Sequence, residues 1–203
     1  SNIMQLVFDA KGDQVKAVYM AVDQATFSAD PEETKFPLTD YLYDDNVFND
    51  IPYLLNKDVL LDYILRPLAD RKDASDWSEL YKPWWTDEYY NKANVLMYYE
   101  PAEERPEEEA LAADYFNDAV ETNLQQNILP YIEAHPKTEF YIFYPPYSIL
   151  FWNDVTREKE TEAVIGRLEY MTERLLNYEN VHVFNILGKE DIICNLNNYA
   201  DYM

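Results

Sequence analysis

Three short β-rich runs with helical stretches between them restrict this chain more than any other feature. Val15 to Val22 (VKAVYMAV), Glu139 to Tyr144 (EFYIFY) and Val181 to Phe184 (VHVF) are dominated by β-branched, aromatic and other apolar residues. Such runs predict strands buried on both faces, as in a parallel sheet. Between the second and third, Val164, Leu168, Met171 and Leu175 mark one face of a helix expected from about Arg157 to Tyr178. Ahead of the second, Pro106 and Glu107-Glu108-Glu109 form a favourable helix start, and Phe116, Val120, Leu124 and Ile128 recur at i+4 to about Ile128. The order is strand, insertion, helix, strand, helix, strand. Alternation of this kind predicts an α/β fold, a three-layer sandwich with a mostly parallel, flavodoxin-like sheet.

The chain of 203 residues reads as one domain, 1–203, with an insertion or lid at about 36–106. Within the insertion, Asn56 is an expected N-cap for a helix over 58–68. Residues 71–106 hold Trp77, Trp84 and Trp85 among many tyrosines, with poor periodicity. The chain starts on Ser1-Asn2 and stops on Asp201-Tyr202-Met203, and it reads as an excerpt of a longer protein, truncated at both ends.

Composition removes several function classes. The net charge of −23 repels nucleic acid and anionic membrane, so no nucleic-acid partner is expected. One cysteine, Cys194, excludes an internal disulfide and a Cys-rich zinc site. Gly12, Gly166 and Gly188 are the only glycines, too dispersed for a dinucleotide fingerprint or a P-loop. No cofactor is expected. The acidic loop Asp40 to Asp50 has oxygen donors for Ca²⁺ but lacks the EF-hand Gly and closing Glu, so Asx turns and helix caps account for it and no metal ligands are assigned.

In open parallel sheets, sites form outside the carboxyl ends of the strands. Here those ends lead into Asp23-Gln24, into Pro145 to Ser148, and into the segment after Asn185. The double proline cannot extend a strand and would hold Tyr147 and Ser148 at the rim. Ser148 lacks a G-x-S-x-G elbow and is not read as a nucleophile. Trp84 and Trp85, with neighbouring tyrosines, offer rings that stack on sugars or else anchor the insertion by burial. His135, before a proline, and His182, inside a strand, are read as structural rather than as bases.

FYIFYPPYS (Phe140 to Ser148), the helix after it, the VHVF strand and the closing NLNNYADYM together resemble the C-terminal part of an SGNH/GDSL-type hydrolase domain. They are similar in style to cell-envelope members such as teichoic-acid D-alanylation and alginate acetylation proteins. The resemblance covers about 14–28 and 110–203, and implies an SGNH-like sheet. It makes Asp201-Tyr202-Met203 the first three positions of the family's D-x-x-H block, with Asp201 the acid of a Ser-His-Asp triad. The histidine would follow Met203, and the serine block would precede the first strand. The family's G-x-N-D is replaced by Ala21-Val22-Asp23-Gln24, which lacks the oxyanion-hole Asn.

The resemblance implies an esterase or O-acyltransferase domain acting on ester groups of a cell-surface polymer or glycan. It is expected outside a bacterial cell or in its envelope. With one triad member, the chain alone is expected not to hydrolyse esters this way. Asp201 is the catalytic candidate, and Asp23, Gln24, Tyr147, Ser148, Trp84 and Trp85 are substrate-binding candidates. The alternative is a non-catalytic module that binds a glycan or protein through the aromatic insertion.

Overall fold

The alternation of strands and helices produces three parallel strands laid down in sequence order. The computed structural model describes residues 2–23, 26–32, 46, 48–56, 60, 61, 65 and 90–202. The fold is α/β. Strands β1 (Ala17–Ala21), β2 (Glu139–Tyr144) and β3 (Val181–Asn185) form one sheet of order β1-β2-β3 with both pairings parallel. Tyr19 stands opposite Tyr141, and Tyr141 opposite His182.

The chain divides into two compact units, residues 1–33 with 85–203, and residues 34–84. In the second, the described residues include one helical turn, α2 (Ile51–Leu54). The first holds the sheet, α1 (Asn2–Lys11), α3 (Lys92–Met97), α4 (Asn117–Asn127), α5 (Leu129–Ala134), α6 (Ile149–Arg157), α7 (Thr161–Leu175) and α8 (Glu190–Ile193). The helix expected over 58–68 falls mostly outside the described residues.

One face of the sheet carries the core. Phe140, Ile142 and Tyr144 are fully buried there, packed with Leu124, Ile132, Leu168, Met171 and Leu175 from α4, α5 and α7. Phe8 of α1 joins them, stacked on His135 at 4.1 Å between ring centroids. Each such side chain contributes about 1.5–3 kcal/mol of apolar burial. The other face differs from the expectation of strands buried on both sides. Tyr19 is 74% exposed and Phe184 51% exposed, and β1 alternates between exposed and half-buried residues. Their rings form a row, with Tyr19 stacked on Tyr141 at 4.8 Å and Tyr141 on His182 at 4.8 Å. His182 Nε2 also meets Glu139 Oε2 at 2.8 Å.

Two helices begin where local rules did not place them. The acids after Pro106 form only a single 3-10 turn, Glu107–Glu109, and α4 starts at Asn117. The intervening stretch runs as a strap across α7 instead. Arg105 N donates to Arg157 O at 2.9 Å and Leu111 N to Lys159 O at 3.0 Å, which ties the strap to the junction of α6 and α7. The helix expected from about Arg157 to Tyr178 is α7, and α6, which the sequence did not place, precedes it. They break at Lys159, whose φ of 60° lies in the left-handed region and ends a helix run.

One ion pair fixes α4 against α7. Glu121 accepts from Arg174 Nε and Nη2, both at 2.7 Å, and from the Tyr170 hydroxyl at 3.0 Å. The Arg174 hydrogen bonds pull the Glu121 carboxyl from its usual 4.5 to about 2. The folded value lies below the unfolded one, so this stabilisation is full above about pH 4.5 and fades as pH falls toward about 2. The two side chains remain 29% and 31% exposed, and solvent screening limits the effect to about 1 kcal/mol. Thermal melts should show Glu121→Gln less stable at pH 7, with the gap to the parent closing toward pH 2. A constant gap across that range would exclude the linkage.

Candidate functional site at the carboxyl ends of the strands

Two turns and a returning C-terminal segment meet at the carboxyl ends of β1 and β2. After β1, Val22 is buried and its N–H donates to Phe143 O at 3.0 Å. Asp23 follows, exposed, while Gln24 falls outside the described residues. The chain then forms a 3-10 turn at Thr26–Ser28.

Buried polar side chains clamp this β1 exit loop. Asn123 of α4 donates to Phe27 O at 3.1 Å and to Ala29 O at 2.9 Å, and Asn127 donates to Pro31 O at 3.3 Å. Arg167 of α7, only 4% exposed, donates to the Ser28 hydroxyl and lies 4.8 Å from the Phe116 ring centroid. Burial lowers the Arg167 pKa, opposed by the negative potential of Tyr147, Asp23 and Glu160. An irregular loop at a sheet end has backbone carbonyls to satisfy; these amides satisfy three of them, while the guanidinium holds the Ser28 side chain.

After β2, the double proline leads to Tyr147 and Ser148. Tyr147 is buried and stacks on Phe151 at 4.4 Å. Ser148 is fully buried and N-caps α6, accepting from Leu150 N at 3.2 Å and Phe151 N at 3.5 Å. Its hydroxyl also donates to the carbonyl of Tyr202. Ser148 therefore joins the exit of β2 to a segment 54 residues further on.

That segment is held by its own small core. Tyr199 and Leu196 pack with Val95 of α3, and Leu150 and Tyr202 close around them. Asn197 Oδ1 accepts from Lys92 N at 3.0 Å. The Tyr202 ring lies 5.6 Å from Tyr99, whose hydroxyl donates to Asp154 Oδ1 at 2.7 Å. Burial, then the Asp154 hydrogen bond, raises the Tyr99 pKa. Asp201, exposed, stands directly before Tyr202 and hence beside the exit of β2.

Of the sequence candidates, the structure brings Ser148 and the Tyr202 carbonyl into contact, with Asp201 adjacent in the chain and Tyr147 adjacent to Ser148. Asp23 and Tyr147 both bear on Arg167. Trp84 and Trp85, like Gln24, lie outside the described residues. Arg167 and Asn123 are the rim residues that sequence reasoning missed. His135 packs on Phe8 and His182 pairs with Glu139, so neither reaches the carboxyl rim. Among the described residues no group of three or more His, Cys, Asp or Glu could hold a metal ion. The acidic loop 40–50 is described only in part, where Asn46 Oδ1 accepts from Phe48 N at 3.3 Å as in an Asx turn. No described helix is long and apolar enough to cross a membrane.

Ser148→Ala should remove both the cap and the anchor of the closing segment. The expected loss is about 1–2 kcal/mol, with faster amide exchange at 199–202. Unchanged exchange there would mean that the apolar cluster alone retains the segment.

Comparison with protein-family models, with curated proteins and with solved structures returned no match. The class of the protein therefore rests on its residues and geometry.

Proposed function

We propose that this chain is an SGNH-like domain of an esterase or O-acyltransferase that acts on ester groups of a cell-surface polymer or glycan in a bacterial envelope. The reading includes a three-layer sandwich with an aromatic-rich insertion at about 36–106. One observation carries this reading. The Ser148 hydroxyl holds the Tyr202 carbonyl, so Asp201 stands at the carboxyl end of a parallel strand. A D-x-x-H acid needs that position, because it must orient a histidine over the rim where the substrate lies.

The test is acyl release by the full-length gene product from p-nitrophenyl acetate and from an O-acetylated glycan. Turnover that is blocked by a serine-directed fluorophosphonate is the expected result. No release and no transfer to a hydroxyl acceptor would overturn it.

A second reading, a glycan- or protein-binding module, is favoured by a specific observation. Ala21-Val22-Asp23 lacks the family's Gly, and neither described histidine reaches the rim. Retention on a glycan column without turnover, lost on Trp84→Ala and Trp85→Ala, is its expected result.

A further inference from the structure

Two buried tyrosine hydroxyls are treated differently by this fold. Tyr144, fully buried in the main core, meets the Thr172 hydroxyl at 2.8 Å. Tyr199, 8% exposed, packs with Val95 and Leu196, and its buried hydroxyl has no hydrogen-bond partner among the described residues. Burial, and then Cys194, raises the Tyr199 pKa, so the group stays a neutral phenol with a proton to donate. Native folds pair nearly all their buried polar groups, and one left without a partner opposes the state that buries it. Exposure to water would satisfy it.

The surroundings of Tyr199 let that opposition act locally. Its cluster is separate from the main core that packs on the sheet. The backbone around it forms only short turns, with Asn198 N donating to Asn195 O at 2.9 Å and Tyr199 N to Leu196 O at 3.4 Å. Single turns of this kind do not persist once unpacked. The segment reaches the end of β2 through the Ser148 hydroxyl, which donates to the Tyr202 carbonyl, and through the Tyr202 ring beside Tyr99. We propose that residues 194–202 open as one unit from the end of β2 and the first turn of α6, and that the unpartnered Tyr199 hydroxyl favours the open state. Opening uncovers Ser148 at the carboxyl end of a parallel strand, so the segment gates that end of the sheet. The device rests on packing and does not depend on the ester-acting reading.

Hydrogen exchange of the whole protein tests it, with the amides of β2 as the reference for global unfolding. Amides 194–199 should exchange at least about tenfold faster than the protected amides of β2. Tyr199→Phe removes the hydroxyl and keeps the ring. It should slow exchange at 194–199 by at least about fivefold and leave β2 unchanged. Leu196→Ala should quicken the same amides by at least about tenfold, again without moving β2. Exchange at 194–199 no faster than in β2 overturns the proposal, because the segment would then open only with the whole fold. Exchange unchanged or quickened by Tyr199→Phe overturns it too, because the hydroxyl would then be satisfied in the closed state. Equal shifts at 194–199 and in β2, in either variant, would show a single cooperative unit and overturn it as well.

Discussion

Asp201→Asn should, on the proposed ester-acting reading, lower the acyl-ester kcat by about 10⁴-fold, with KM changed little. An Asn in this position can hold a neighbouring imidazole but presents an amide where a carboxylate should accept the Nδ1 proton. On the proposed ester-acting reading, a histidine paired with Asp201 would then adopt the wrong tautomer, and its developing imidazolium would lose its counter-charge. The substitution should leave the melting temperature almost unchanged. Asp201 is exposed, and the chain there is held through the Tyr202 carbonyl and the Tyr199–Leu196–Val95 cluster. Loss of rate without loss of stability is the signature of a chemical role. An unaltered kcat would remove Asp201 from the mechanism and return the molecule to the binding-module reading. A fall in both rate and stability would assign Asp201 to anchoring the segment.

How much of this arrangement the sequence carried depends on the range of the interactions. β2 is legible to the residue, since Glu139–Tyr144 is a dense aromatic and aliphatic run ended by two prolines. β1 and β3 are legible within two residues at either end. The rim position of Tyr147 and Ser148 follows from strand direction alone. The role of Ser148 does not, because a loop reading hides that a serine ahead of Ile-Leu-Phe-Trp is also an N-cap, and α6 was missed with it. Its bond to Tyr202 joins residues 54 apart, which no local pattern encodes. Arg167 and Asn123 left a fainter trace. Each lies three residues after a buried valine, Val164 and Val120, and so within an apolar stripe. Counting only apolar positions skips them, although a charge or amide on a buried face has to bond to something. The start of α4 failed for the opposite reason. Pro106 and three glutamates satisfy every local rule for a helix start, but the strap across α7 prevails.

Gly166→Ala should destabilise the protein by about 3 kcal/mol, against the gain of about 1 kcal/mol that alanine brings to an ordinary helix interior. A Cβ built at Gly166 would lie 2.0 Å from the Ala113 carbonyl oxygen and 2.8 Å from its carbon. The obstacle is backbone, and it cannot rotate away as a side-chain tip would. The strap that carries Ala113 is pinned at Arg105 and Leu111 by main-chain hydrogen bonds, so it must lift from α7 to make room. Gly188→Ala is the contrast, since a Cβ there meets nothing within 4 Å and stability should stay within about 0.5 kcal/mol. The consequence reaches the rim. Arg167 is the next residue on α7, and it packs against Phe116, three residues beyond Ala113 on the strap side, while donating to Ser28 in the β1 exit loop. Lifting the strap therefore displaces the ring that covers the guanidinium and loosens the loop it holds. Amide exchange at 26–31 should quicken in Gly166→Ala along with the fall in melting temperature. If the melting temperature fell and exchange at 26–31 did not change, the Asn123 bonds to Phe27 and Ala29 would be enough to hold the loop without Arg167.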